Sequence, residues 1–343
     1  MKLQQWVEQH WYARNPGVLG LLAPLEALYC HTMQQRQQAY QQGKKPSSHP
    51  GVPVVIVGNL TVGGSGKSPV VAALADYFCQ QGWKPGIISR GYGGKASHYP
   101  LLVTASSDPA AVGDEPLMLA QQTSLPVAVD PNRPEAARLL VEQGCNLLLA
   151  DDGLQHLALQ RDIELVVLDG ARGLGNGHCL PVGPLRETTK RLNSVDFILC
   201  QGELTVPLPA DCPAVDQRWI HYRLQQTGWR CGDGQTQTDM PFKSGQQVHA
   251  LAGIGNPQRF FDQLRQQGLD VIEHPLKDHA TMDARLLNLP GEQPILMTAK
   301  DAVKLKPWLN TRHWVVEVQA DLPQTLLDAL QNKLNTLQQK PRP

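Results

Sequence analysis

The chain has 343 residues, 41% hydrophobic and 18% charged, which suits a globular protein of about two domains and excludes a disordered or collagen-like one. Its 31 basic and 31 acidic residues cancel, so no global field draws it to nucleic acid, and any anionic surface must be met through a local patch. The seven cysteines, at positions 30, 79, 145, 179, 200, 212 and 231, are odd in number and form no Cys-x-x-Cys pair, which argues for a reduced, cytosol-facing compartment.

Residues 1–45 differ from the rest. They carry Trp6, Trp11 and Tyr12, an apolar stretch at 17–29 (GVLGLLAPLEALY), then a Gln-rich run ending in Lys44 and Lys45. The apolar stretch is too short to span a bilayer and is interrupted by Pro24 and Glu26. It lacks the charged start and cleavage site of a secretory signal. Leu21, Leu25 and Leu28 recur at helical spacing, and residues 1–50 hold five Lys/Arg against two Glu. That pattern fits a helix lying in a membrane interface; the alternative is a helix packed on the protein's own core.

An apolar run at 52–57 leads into 58–68 (GNLTVGGSGKS) and then an apolar helical stretch from Pro69, giving strand, glycine-rich loop, helix. In such a loop the backbone N–H groups of Thr61, Gly63, Gly64, Ser65 and Gly66 cradle phosphate. Lys67 reaches the β/γ-phosphates of ATP and the Ser68 hydroxyl ligates Mg²⁺. Thr61 stands where the usual pattern has its first glycine.

Short apolar runs at 86–89, 127–129, 146–150, 164–168 and 197–200 follow, several separated by helical stretches such as 115–122 and 134–143. This alternation predicts an α/β fold with an open, largely parallel sheet and ligands at the strand C-terminal ends. Past one strand lies 89–94 (SRGYGG), a ligand-covering loop through Arg90 or Tyr92, or a plain turn. Asp114 opens a helix and is either its cap or a functional carboxylate. The run 146–156 (NLLLADDGLQH) ends in Asp151 and Asp152, as a strand beside a phosphate loop does when it presents a carboxylate to Mg²⁺. Adjacent aspartates on a strand face opposite ways, so one should meet the metal and the other a neighbouring loop. Arg186 and Glu187, after a Pro/Gly-rich turn, suit a phosphate or a substrate hydroxyl, or a surface ion pair.

Residues 206–245 break the alternation and read as a linking hairpin. From Val248 it resumes, with strands near 248–252, 294–297 and 314–316 and helices near 258–267 and 302–305, as a second, smaller α/β lobe covering 246–343. There the pair Asp278-His279 stands out. So does 298–301 (TAKD), whose spacing departs from the Asn-Lys-x-Asp element of guanine-specific GTPases.

Taken together, 57–69, 89–93, 112–116, 150–156, 180–187, 253–257, Asp278-His279 and 298–304 resemble the tetraacyldisaccharide 4′-kinase family of lipid A assembly, along nearly the whole chain. Thr61 belongs to that family's pattern. The resemblance implies ATP and Mg²⁺ held through Lys67, Ser68 and Asp151, with Asp114 taking the proton of the sugar hydroxyl, assisted by His279. Arg90, Tyr92, Asp152, Gln155, Arg186, Glu187 and Asp278 would line or support the substrate site. Ala280 and Thr281 depart from the family, so no role after His279 carries over.

The resemblance also implies a kinase core at 46–205. Its acceptor would be an acylated glucosamine disaccharide 1-phosphate, met at the cytoplasmic face of the bacterial inner membrane by a peripheral enzyme. Two other classes compete: a regulatory phosphate-loop ATPase or GTPase, disfavoured by the acceptor-side pair Asp114/His279, and a non-catalytic membrane-associated binding protein, disfavoured by the intact Lys67, Ser68 and Asp151.

Overall fold

In the computed structural model, which describes residues 3–277 and 282–339, the strand that feeds the glycine-rich loop lies deep in a mixed α/β architecture. In chain order the elements are α1 (Leu3–Trp11), α2 (Ala23–Gln41), β1 (Val54–Gly58), α3 (Lys67–Gln80), β2 (Pro85–Ser89), β3 (Leu101–Val103), α4 (Pro109–Val112), α5 (Asp114–Thr123), β4 (Val127–Val129), α6 (Arg133–Glu142), β5 (Leu147–Asp151), β6 (Ile163–Asp169) and β7 (Phe197–Gln201). There follow β8 (Trp219–Cys231), β9 (Thr236–Gln237), β10 (Gln247–Ala252), α7 (Pro257–Gln266), β11 (Asp270–Pro275), β12 (Ile295–Thr298), α8 (Ala299–Leu305), β13 (His313–Asp321) and α9 (Gln324–Gln339).

All the strands join one sheet in the order β11-β10-β12-β13-β8-β7-β6-β1-β5-β2-β4-β3, with β9 beside β8. Only β8–β13, β3–β4 and β8–β9 pair antiparallel among the described residues. The largely parallel sheet explains the apolar runs: β1 sits between β5 and β6 and is buried along its whole length. Its side chains alternate between two cores. Val55 and Val57 join the cluster holding Leu74 and Phe78 of α3 and Leu326, Leu330 and Leu334 of α9. Val54 and Ile56 join the one holding Ala136 and Leu140 of α6.

Residues expected as a linking hairpin do more than link. β8 runs thirteen residues: Trp219 to Tyr222 pair parallel with β7, and Arg223 to Cys231 pair antiparallel with β13. One strand therefore fuses both halves into a single sheet, and only its far end forms a hairpin with β9. The short edge strand β3 and the half-buried edge strand β11 escape the apolar-run pattern because they are not buried on both faces.

The N-terminal segment also differs from a simple interrupted helix. Residues Gly17–Leu22 form a 3₁₀ turn, and Pro24 occupies the first turn of the nineteen-residue α2, where a missing N–H costs nothing. No residue of α2 is buried, although Tyr29 and Cys30 pack partly against the second core.

Candidate active site

The site forms where β1 and β5 end side by side. Gly66, at φ +81°, is the last loop residue and turns the chain into α3, so Lys67 and Ser68 occupy that helix's first turn. The adjacent strand β5 carries Asp151 to the same edge, and Ser68 Oγ donates a 3.0 Å hydrogen bond to Asp151 Oδ2. Asp151 Oδ1 is buried with no hydrogen-bond partner among the described residues. Burial, and after it the Glu115 charge, push the Asp151 carboxyl up to about 7. A hydroxyl and an under-satisfied carboxylate at a phosphate loop are a fitting donor pair for a hard divalent cation.

Asp152 leaves the strand at φ +51°, which swings its side chain away from that pair. It receives two hydrogen bonds from Arg186 Nη1, at 2.9 and 3.0 Å, and lies 3.5 Å from Lys67 Nζ. Against the raising effect of burial, Lys67 and then Arg186 hold its carboxyl well below the usual carboxylate range. The loop after β5 is then tied to the Arg186 segment a second time, because Gln155 Nε2 donates to Glu187 Oε1 at 2.8 Å. Arg191 Nε approaches the same glutamate at 3.4 Å.

Asp114 is not the cap of α5, a place taken by Gly113 at φ +89°, where glycine is favoured; it is the buried first residue of the helix, its Oδ1 accepting from the Glu115 backbone N–H at 3.0 Å and Lys304 Nζ standing 3.3 Å from its Oδ2. Lys300 Nζ donates to Glu115 Oε1 at 2.9 Å. Both lysines come from α8 of the C-terminal half, so this edge of the site is assembled from two distant parts of the chain. Arg90 and Tyr92 lie on an exposed loop, Tyr92 being 59% exposed. Asp278 and His279 lie outside the described residues.

Sequence reasoning overlooked Arg133 and Lys304, and noted Lys300 only for its imperfect GTPase-like spacing. Arg133 is buried at the first position of α6, with Nη2 donating to the Asp151 carbonyl at 3.3 Å. Its Nε and Nη1 have no hydrogen-bond partner among the described residues, and burial lowers its pKa to about 10. A signal existed: a cation in a helix's first turn opposes the helix dipole and therefore asks for an anion nearby. Asp301, beside Lys300, is structural: its backbone N–H donates to the hydroxyl of Thr298, the N-cap of α8, and its Oδ2 accepts from that hydroxyl at 2.7 Å and from the Gly253 N–H at 3.0 Å.

A cleft of about 180 Å³ opens between the phosphate loop and the C-terminal half. Met118, Leu224, Ile254, Phe260 and Val316 line its apolar side, while Lys67 and Ser68 stand at its polar end. Such a wall suits a flat heteroaromatic base whose phosphates reach the loop.

Comparison with known proteins gives one consistent answer. The model of the family described as tetraacyldisaccharide-1-P 4′-kinase matches residues 18–335. The tetraacyldisaccharide 4′-kinase of Pseudomonas paraeruginosa is 45% identical over 311 residues, covering 90% of this chain and 91% of its own length. That of Alcanivorax borkumensis is 43% identical over 331 residues, covering 96% and 97%. A crystal structure of LpxK from Aquifex aeolicus in complex with ATP superposes with a TM-score of 0.76 at 26% identity, over 92% of this chain and 99% of that one.

Proposed function

The chain belongs to the tetraacyldisaccharide-1-P 4′-kinase family, and from that premise we propose how its own residues move the γ-phosphate of ATP to the sugar hydroxyl. The enzyme is a kinase of lipid A biosynthesis, which sets aside the regulatory ATPase and the non-catalytic binding protein. The observation that carries the residue assignment is the Ser68–Asp151 hydrogen bond beside Lys67 at the mouth of the phosphate loop.

Phosphoryl transfer needs charge compensation on the phosphates and a nucleophile held in line. In this reading the N–H groups of Thr61, Gly63, Gly64, Ser65 and Gly66 and the Lys67 ammonium hold the phosphates of ATP. The base lies along the apolar wall of the cleft. Ser68 and Asp151 would hold Mg²⁺, which supplies charge neutralisation on the phosphates when bound. Asp114, positioned by Lys304, accepts the proton of the 4′-hydroxyl of the tetraacyldisaccharide 1-phosphate, and His279 assists. Asp152 and Arg186 orient each other, and Arg133 offers its unpaired N–H groups to an anion. Arg90, Tyr92, Gln155, Glu187 and Asp278 complete the acceptor side.

Residues 46–205 form the kinase core, 206–245 the link and 246–343 the smaller lobe in this proposal. Residues 1–45 attach the enzyme peripherally to the cytoplasmic face of the inner membrane, where its acceptor lies. Withdrawing the acceptor's acyl chains from the bilayer would cost about 0.8 kcal/mol per CH₂, so the enzyme must come to the lipid. No helix among the described residues is long and apolar enough to cross a membrane.

The test uses γ-labelled ATP and lipid vesicles, comparing label in the chloroform-soluble product with label released as free phosphate. Wild type should label the lipid. Lys67→Ala should lose transfer by orders of magnitude, and Asp114→Asn, which keeps an oxygen to accept the Glu115 N–H, should lower kcat by about a hundredfold or more with ATP affinity retained. Unchanged kcat in a folded Asp114→Asn protein would leave Asp114 a structural residue of the first turn of α5.

A further inference from the structure

Away from the phosphate loop, Glu26 and Cys30 lie four residues apart on α2, a spacing that puts both side chains on one helix face. That face meets Cys179 from the segment leading to Arg186. One carboxylate oxygen of Glu26 and the two thiol sulfurs all lie within 4.8 Å of one another. Cys179 is buried, and Glu26 and Cys30 are half-buried. The carboxylate is aimed: the Cys179 backbone N–H donates to Glu26 Oε1 at 2.6 Å, and His178 Nδ1 lies 3.0 Å from Oε2.

We propose that Glu26, Cys30 and Cys179 form a binding site for a zinc ion that clamps α2 to the catalytic half, with water as fourth ligand. Two sulfurs and one oxygen are a zinc donor set, since soft thiolates disfavour Mg²⁺ and Ca²⁺. At Zn–S distances of about 2.3 Å in a tetrahedron, the sulfurs stand about 3.8 Å apart, within side-chain adjustment of the separation found here. His178 serves as the hydrogen-bonded support that ligating carboxylates commonly have. Binding is redox-neutral: two thiols release two protons to solvent as two Zn–S bonds form. Two thiolates and a carboxylate leave one net negative charge on the loaded site; the same groove is lined by Arg186, Lys190 and Arg191 against Glu187 and Asp211, a small cationic excess that opposes it.

The clamp has a functional place. Tyr29, one residue before Cys30, donates its hydroxyl to the Arg186 carbonyl at 2.9 Å, and Arg186 pairs with Asp152 in the active site. With no buried residue of its own, α2 is held by the Glu26 and Tyr29 hydrogen bonds and the partial packing of Tyr29 and Cys30, and a metal bond would add a stronger tie between the leucine-bearing segment and the loop that orients Asp152.

The experiment loads the reduced, metal-free full-length chain with Co²⁺ as a spectroscopic stand-in and then displaces it with Zn²⁺. One equivalent per chain, with thiolate-to-cobalt charge-transfer bands and tetrahedral d–d bands, is expected. Cys30→Ser and Cys179→Ser should each abolish these bands, Glu26→Gln should weaken binding, and His178→Ala should weaken it by about tenfold. Cys79→Ser, at an exposed cysteine, should change nothing. Zinc should raise the melting temperature of wild type and not that of folded Cys30→Ser. The proposal is overturned if reduced wild type gives no such bands, or if stoichiometric binding survives Cys30→Ser. It is equally overturned if the pair forms a disulfide in air while the reduced protein takes up no metal.

Discussion

Asp151 and Asp152 are adjacent carboxylates given opposite environments by one backbone step. The first stays on the strand, buried against Ser68; the second turns at positive φ into the reach of Lys67 and Arg186. Arg133 belongs to the same arrangement but is poorly served, because a buried guanidinium with two unpaired N–H directions gives up solvation without full return. On the function proposed above, such a group serves the anion it binds. Arg133→Met is therefore expected to leave the melting temperature unchanged or raise it, while lowering kcat/KM by about a hundredfold through lost electrostatic stabilisation. Steady-state kinetics and thermal melts on the same preparation check both halves. A large loss of stability with near-normal turnover would make Arg133 structural.

At the scale of elements, the N-terminal segment carries a row of apolar side chains that no element covers among the described residues. Leu21, Leu25 and Leu28 are 84%, 53% and 62% exposed, and Val18 is 57% exposed, so this stripe is not the packing face of a core helix. An apolar stripe with Arg14 exposed before it and Lys44 and Lys45 exposed past the far end of α2 suits a membrane interface. Replacing all three leucines by Ser should weaken co-sedimentation with anionic vesicles by about 3 kcal/mol, roughly a hundredfold. The apparent KM for lipid should rise, ATP affinity should hold, and the melting temperature should scarcely move because the side chains are already in water. A destabilised variant that still binds vesicles normally would return the segment to the core.

Across the whole molecule, the two halves are joined more closely than a linker would join them. They share β8, the α8 lysines reach Asp114 and Glu115, and the phosphate loop touches the C-terminal half through glycines. A Cβ on Gly255 would stand 2.3 Å from the Gly64 backbone nitrogen, so nothing larger than glycine fits without moving the loop. Gly255→Ala should therefore displace the phosphate loop and weaken ATP binding by about tenfold or more, with a lower melting temperature. Calorimetric titration with ATP reads the effect directly, and unchanged affinity would mean that the two loops separate freely.

What the sequence by itself determined was local. An apolar run, a glycine loop ending in Lys67-Ser68 and a second run ending in Asp151 specify a phosphate loop, because strand, turn and helix-start chemistry depend on near neighbours in the chain. The family motifs placed the acceptor-side candidates in the same way. What only the tertiary structure decided was which distant segments meet. Nothing in the spacing of 206–245 says that one strand pairs with both halves. Nor does it say that Lys300 and Lys304 close onto the start of α5, that Arg133 lies under Asp151, or that Cys30 of α2 meets Cys179. Those contacts follow from sheet order and helix packing, which the summed burial of the whole chain sets and no short window of sequence contains.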